Sequence, residues 1–329
     1  LEVNQVSEGV GILTHRDADG ICSAALAKSA YPDADVKFAE PFELASKMRT
    51  LPSDWSVVII LDLGIGLTQK EDIKNAFEKA SKSRKIIYID HHSLLPGITR
   101  KTLHCDVFVH RTKVSNSELA LEFFRPPASL EYIALLGAIS DYQEHTRKMR
   151  ELIMKYGWRT AYLETFLLEQ GLEASRQDHP FKRNIIQGLI QGLWPSGIPG
   201  LIERARSGIK QEGAIKSHVK ENISKFGERI ALVTDLPFMA TGKAATYAVK
   251  LANTEVGIGT YRNQDYVRLS VRRDRRSRLN LNSIIQRATF KVGGNGGGHE
   301  TAVGGRVPVK KFNNFLKELE RYISKPSSV

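Results

Sequence analysis

His15, Asp17 and Asp19 are spaced two residues apart and follow directly on the apolar run at residues 10–14. An imidazole and two carboxylates delivered to one point repel each other and raise each other's pKa unless a cation sits among them. Three further segments repeat the theme. Residues 57–61 run into Asp62, residues 86–89 into Asp90, His91 and His92, and the helical run 132–140 into Asp141. Open parallel sheets bind ligands beyond the carboxyl ends of their strands, so His15, Asp17, Asp19, Asp62, His91, His92 and Asp141 are expected to converge in one cleft. Taken singly, each has a plainer reading. An Asp after a strand commonly caps a helix, a lone His is ordinarily a packed or surface group, and Asp19-Gly20 could form a turn. Taken together, these residues point to divalent metal. Their number exceeds the needs of one ion and suggests two, about 3.5–4 Å apart, bridged by a carboxylate and suited to attack of water on phosphorus. Carboxylate and imidazole without thiolate suit Mn²⁺, Mg²⁺ or Zn²⁺, and the oxygen majority favours Mn²⁺ with Mg²⁺ as substitute.

The elements that must position these groups alternate along the first half. Short runs rich in β-branched residues at 10–14, 35–39, 57–61, 85–89 and 106–110 read as strands. Between them, 21–30, 41–50 and 68–83 read as helices. The pattern predicts α/β architecture: a parallel sheet with helices on both faces. Helices at 116–124, 129–140, 146–170 and 181–192 follow, and the Pro- and Gly-rich run 194–200 marks a domain edge. A polar helix at 211–225 is expected to connect to a smaller α/β domain. In that domain, strand 229–235 leads to helix 242–252, capped by Thr241 or Gly242. A hairpin of 255–262 and 265–272 turns at Asn263-Gln264, and helices 281–290 and 311–323 complete the unit. The predicted boundaries are a catalytic domain at 1–200, a helical connector at 201–227 and a substrate-binding domain at 228–329. The tail at 324–329 is expected to fray.

Composition narrows the class. The chain has 329 residues, 41% hydrophobic and 26% charged, the balance of a globular protein. No apolar run approaches the roughly 20 residues of a membrane span. It opens at Leu1, so this need not be the natural start. Cys22 and Cys105 form no CxxC pair, which argues against a disulfide framework or thiolate zinc site and for a cytoplasmic setting. The formal net charge of +12 favours polyanionic partners. Between Tyr261 and Lys311, twelve Lys/Arg face only Asp265, Asp274 and Glu300. This basic run flanks Gly293-Gly-Asn-Gly-Gly-Gly298, where backbone N–H groups are expected to form an anion-binding nest with His299 as a directed donor. Tyr261 and Tyr266 could stack on bases or pack in strands. His104, His110, His145 and His179 read as structural or surface groups, and Cys22 as core.

Asp90-His91-His92, with the acidic motifs around it, resembles the DHH phosphoesterase superfamily, and Gly296-Gly-Gly-His299 resembles the motif of its DHHA1 domain. Within it, the two-residue step from His15 to Asp17 is similar to archaeal RecJ-like nucleases. The resemblance implies that His15 and Asp17 hold one Mn²⁺, that Asp19, His91 and Asp141 hold the other, and that Asp62 bridges them. It implies that His92 stabilises charge or donates a proton at the scissile phosphate, oriented by Asp90. Ser270 and Arg272, with Arg273, Arg275, Arg276, Gly296, Gly297, Gly298 and His299, would grip substrate. The implied activity is exonucleolytic hydrolysis of single-stranded DNA, or RNA, in repair or replication. Size and layout similar to the Hef-associated nuclease type lean the polarity to 3′→5′, with a homotrimer and a repair helicase/nuclease such as Hef as implied partners. Alternatives are 5′→3′ polarity, an oligoribonuclease or small-nucleotide phosphodiesterase or phosphatase, and a non-catalytic replication-fork scaffold. The filled ligand positions oppose the last.

Overall fold

The computed structural model describes residues 9–66, 69–236 and 240–324. The chain divides into two compact units. The first runs to Ile209 apart from Ile65–Lys70, which belongs with Lys210 onward to the second.

In the first unit, β1 (Val10–His15), β2 (Asp35–Ala39), β3 (Val57–Leu61), β4 (Lys85–Asp90) and β5 (Val107–His110) form a sheet of order β2-β1-β3-β4-β5, every pairing parallel. Strands buried on both faces read as continuous apolar runs, and Val57-Val-Ile-Ile-Leu61 is such a run. On one face, Ile12, Ile59, Leu61, Ile87 and Ile89 pack into the core shared with α1 (Ala18–Ala30), α4 (Asn116–Phe124) and α5 (Glu131–Ser140). On the other, Tyr88 meets Phe77 of α3 (Lys70–Ser81) edge to face. Between β2 and β3, α2 (Leu44–Arg49) follows a 3₁₀ turn at Pro41–Glu43, where the sequence predicted one helix.

Two further boundaries differ for physical reasons. The first helix begins at Ala18, three residues early, because the Asp17 side chain caps it by accepting from the Gly20 N–H at 2.9 Å. Asp19 and Gly20 therefore lie in a first helical turn. The stretch expected as one helix at 146–170 is two, α6 (Arg147–Tyr156) and α7 (Trp158–Ala174). Gly157 separates them at φ +83°, a conformation through which a right-handed helix cannot continue. The helix α8 (His179–Ile190) completes the unit. The expected helix start at Thr68 and the tail at 325–329 lie outside the described residues.

The connecting helix α9 spans Leu201–Asn222, ten residues earlier than expected. Its start is held by buried Leu201 and Ala205, and Ile215 and Val219 near its end pack into the second unit's core. That unit contains β6 (Ser224–Phe226), β7 (Ile230–Val233), α10 (Thr241–Ala252), β8 (Val256–Arg262), β9 (Tyr266–Arg273), α11 (Leu281–Lys291), β10 (Asn295–Gly298), β11 (Ala302–Pro308) and α12 (Phe312–Ser324). The sheet order is β10-β11-β9-β8-β7-β6, with β7 and β8 parallel and the other pairings antiparallel. Val267, Leu269 and Val271 alternate toward a core with residues of α11 and α12. The position before α10 is Ala240, and neither Thr241 nor Gly242 caps the helix. The Thr241 hydroxyl instead lies 2.8 Å from that of Ser270.

Candidate metal centre

The strand order 2-1-3-4-5 places a topological switch point between β1 and β3, the crevice where such sheets bind ligands. His15 ends β1 and Asp62 follows β3, so both stand at that point. His15 Nδ1 is 2.8 Å from Asp17 Oδ2 and 3.6 Å from Asp62 Oδ2. Asp17 thus does two jobs with two oxygens: Oδ1 caps α1 and Oδ2 faces His15. Asp62 has φ +58°, a left-handed conformation costly for a non-glycine residue and typical of sites held by their surroundings. Its N–H donates to the Ile89 carbonyl at 3.2 Å. The Asn116 amide, turned to satisfy its neighbours, accepts from the same N–H at 3.3 Å and donates to the Ile89 carbonyl at 2.9 Å.

A second cluster gathers on Asp62's other oxygen. His91 Nε2 lies 3.1 Å from Asp62 Oδ1 and 3.8 Å from Asp19 Oδ2, and His91 Nδ1 is 3.6 Å from Asp141 Oδ2. The Nδ1–H donates to the Val114 carbonyl at 2.6 Å, leaving the Nε2 lone pair among carboxylates. A lone pair facing carboxylate oxygens requires a cation between them, either a proton or a metal ion. Asp19 is buried and receives the N–H groups of Asn116 and Ser117, at 2.7 and 2.9 Å, from the first turn of α4. Ser115 caps that turn by accepting from the Glu118 N–H at 3.1 Å.

Titration behaviour reflects the crowding. Burial and then the Asp62 charge push Asp19 up to about 6, against partial relief from His91 and Ser117. Asp141 at the end of α5 is raised well above the carboxylate range by burial, with Asp19 and Asp62 adding repulsion that His91 only partly offsets. Burial opposes charge on His15 and His91, yet the surrounding carboxylates outweigh it and hold both well above the ordinary imidazole value. His15, Asp17 and Asp62 place one ligand atom each within 4.8 Å of one another, and so do Asp19, His91 and Asp141. Four carboxylates and two imidazoles in two sets sharing the neighbourhood of Asp62 fit a pair of divalent ions. Asp90 and His92 form a third grouping. Their Oδ1 and Nδ1 are 2.9 Å apart, and Asp90, fully buried, is lowered to about 2 because His92 outweighs the cost of burial.

The sequence reading missed the supports. Glu40 follows β2 as Asp62 follows β3, and its Oε2 lies 3.6 Å from His15 Nε2 while its other oxygen pairs with Arg16. The strand-end rule that found the others also applies to it. Asn116, Ser117 and Gly137 carry no signal before the helices are packed.

The substrate-binding candidates lie in the second unit. Ser270 and Arg272 alternate on one face of β9, opposite Gly304 and Ala302 of β11. Arg273 is tied down by its guanidinium, which donates to the Ser277 carbonyl in the loop after its strand and to the Glu300 carbonyl in the turn before β11, and Arg276 pairs with Asp274 at 2.8 Å. Arg275 is exposed in the same loop. The glycine cluster corrects the expectation of a nest. Asn295–Gly298 is an edge strand, with Gly296, Gly297 and Gly298 paired to Gly305, Gly304 and Val303. A Cβ on Gly296 would meet Ile285 of α11 at 2.9 Å, so the glycine lets this strand lie on the helix. His299 follows in the turn, its N–H donating to the Ala302 carbonyl at 2.8 Å. Cys22 and Cys105 are buried free thiols, and His110 Nε2 lies 2.7 Å from the His92 carbonyl.

The DHH family N-terminal domain matches residues 9–154 and the DHHA1 domain residues 231–325. No curated protein matches the sequence. Solved structures share the fold at low identity. One described as the DHH domain of a member of a family of ribosomal proteins aligns with TM-score 0.69 and 16% identity, over 96% of this chain and 87% of its own. The exonuclease RecJ bound to manganese aligns with TM-score 0.63 and 15% identity, over 97% and 91%. The pGpG-specific phosphodiesterase PggH from Vibrio cholerae aligns with TM-score 0.55 and 16% identity, over 95% and 99%. No described helix is long and apolar enough to cross a membrane.

Proposed function

The chain belongs to the DHH family, joined to a DHHA1 domain, and from that premise we propose that it is a two-metal exonuclease of single-stranded DNA or RNA. The observation that carries the reading is the pair of ligand sets, His15/Asp17 and Asp19/His91/Asp141, meeting at Asp62. Bound there, two divalent ions, Mn²⁺ or Mg²⁺, supply Lewis-acid stabilisation of attacking and leaving phosphate oxygens. Asp62 bridges. The Val114 carbonyl orients His91, and two N–H groups at the N-terminus of α4 fix the Asp19 carboxyl in place. Asp90 holds His92 through Nδ1, and that imidazole would stabilise charge or donate a proton at the scissile phosphate. Ser270, Arg272, Arg275, Gly296, Gly297, Gly298 and His299 grip the phosphates, with Arg273 and Arg276 shaping that surface. The local basic excess supports a polyanionic substrate. We assign 3′→5′ polarity, and action in repair or replication with a homotrimeric state and a Hef-like helicase/nuclease partner, as part of this proposal.

The test is digestion of a single strand labelled at one end and then at the other, with Mn²⁺. Mononucleotides released from the 3′ end support the reading, release from the 5′ end reverses the polarity, and no release from either end overturns it. The Vibrio phosphodiesterase, matched over 99% of its length, favours a dinucleotide as the second reading. A multi-phosphate footprint makes binding fall steeply with salt, whereas a dinucleotide site responds weakly.

A further inference from the structure

Within the second unit, the face of β9 opposite its apolar core carries Tyr266, Arg268, Ser270 and Arg272 in alternation. Register brings Arg306 of β11 beside Arg268 and Asn295 of β10 beside Arg306. At the Tyr266 end is a hollow of about 290 Å³ lined by Gln69, Tyr266, Phe290, Gly293, Gly294, Asn295 and Arg306, all of the second unit. The Arg306 guanidinium lies 5.2 Å over the Tyr266 ring. Phe290 is 60% exposed, although its neighbours Ile284, Ile285 and Ala288 on α11 are buried in the core. Two accessible aromatic rings, a guanidinium on a ring face and an amide thus border one small hollow at the end of an arginine stripe.

Resting on the nuclease reading above, we propose that this hollow takes one nucleobase of a single-stranded oligonucleotide whose phosphates follow Arg306, Arg268 and Arg272. The volume lies just below the roughly 300–1,000 Å³ typical of small-ligand sites, which suits a single base. Aromatic rings stack on any base, so such a pocket holds a base without regard to sequence. The six-residue step from Tyr266 to Arg272 spans about 20 Å of strand. At about 3.4 Å per stacked nucleotide that distance covers about six bases, and fewer in a stretched strand. A dinucleotide held at Arg272 does not reach the hollow. The pocket therefore selects for length.

Binding is measured by fluorescence anisotropy on the full chain in chelator, so that no turnover intervenes, with a labelled decanucleotide and a labelled dinucleotide. Tyr266→Ala with Phe290→Ala is expected to weaken decanucleotide binding about 10-fold or more, leave the dinucleotide within twofold, and preserve the melting temperature. Phe290→Trp is expected to restore stacking. Wild-type decanucleotide affinity in the double variant, or equal losses for both lengths, overturns the proposal. Because binding is read without hydrolysis, a wild-type chain that binds the decanucleotide through this pocket but cleaves nothing overturns the nuclease reading and leaves the pocket standing.

Discussion

Gly137 stands so close to Asp19 that a Cβ there would lie 2.6 Å from Asp19 Oδ1 and 2.3 Å from the Ser117 hydroxyl. The helix α5 thus presses bare backbone against a buried carboxylate already held by the first turn of α4. Gly137→Ala is expected to displace Asp19 or α4. Overpacking of this kind costs about 1–3 kcal/mol, and a displaced ligand support costs about 10- to 100-fold in metal affinity. Thermal melting and Mn²⁺ titration calorimetry measure the two effects. Unchanged Mn²⁺ affinity contradicts the placement of Asp19 in the site.

What could be read ahead of the structure follows from this geometry. Asp62, Asp90-His91-His92 and Asp141 were legible because each follows a long apolar segment, and a parallel sheet sends strand ends to one edge. Gly137 and Asn116 were not. Their importance depends on how α4 and α5 pack against α1, which no local pattern encodes. The glycine cluster misled for a related reason. Glycine disfavours strands, so Gly293–Gly298 read as a loop, and only the contact of Gly296 with Ile285 and the register with β11 explain an edge strand. Glu40 was available to the same strand-end rule and was passed over.

Asn116→Ala removes the amide that braces the left-handed backbone at Asp62. Loss of buried hydrogen-bond partners costs about 1–3 kcal/mol. The variant is expected to melt lower in chelator, with part of the loss recovered by saturating Mn²⁺. A melting curve identical to wild type contradicts the bracing role.

Asp90→Asn keeps an oxygen for His92 Nδ1 but removes the charge. Supports of this kind are worth about 10- to 100-fold. We expect kcat to fall by that amount with Mn²⁺ affinity within twofold. A large loss of metal binding instead places Asp90 among the ligands.

The chelated protein carries a pH signature with a defined sign. Asp19 is raised to about 6, so the folded state holds its proton above the unfolded value. Its contribution to stability is full below about pH 4 and is lost as pH rises through 6. Asp90, lowered to about 2, contributes in the opposite sense: its contribution is full above about pH 4 and is lost as pH falls through 2. Melting temperature in chelator is expected to fall between pH 4 and about 6.5 relative to Asp19→Asn, and Mn²⁺ at pH 7 to restore it. A flat difference between the two proteins contradicts the crowding of charge at the site.

Asp62 stands between the two ligand sets, and Asp62→Asn separates a shared metal ligand from a merely packed carboxylate. Asn tolerates the left-handed backbone, so the fold is spared while the Asp62 charge is lost. Hydrolysis of an end-labelled single strand is measured with saturating Mn²⁺ beside a melting curve. Removing several kcal/mol of transition-state stabilisation at about 1.36 kcal/mol per tenfold predicts a loss of about a thousandfold or more in a folded protein. Cleavage near the wild-type rate in the folded Asp62→Asn variant would mean that Asp62 is not a shared ligand of the two sets.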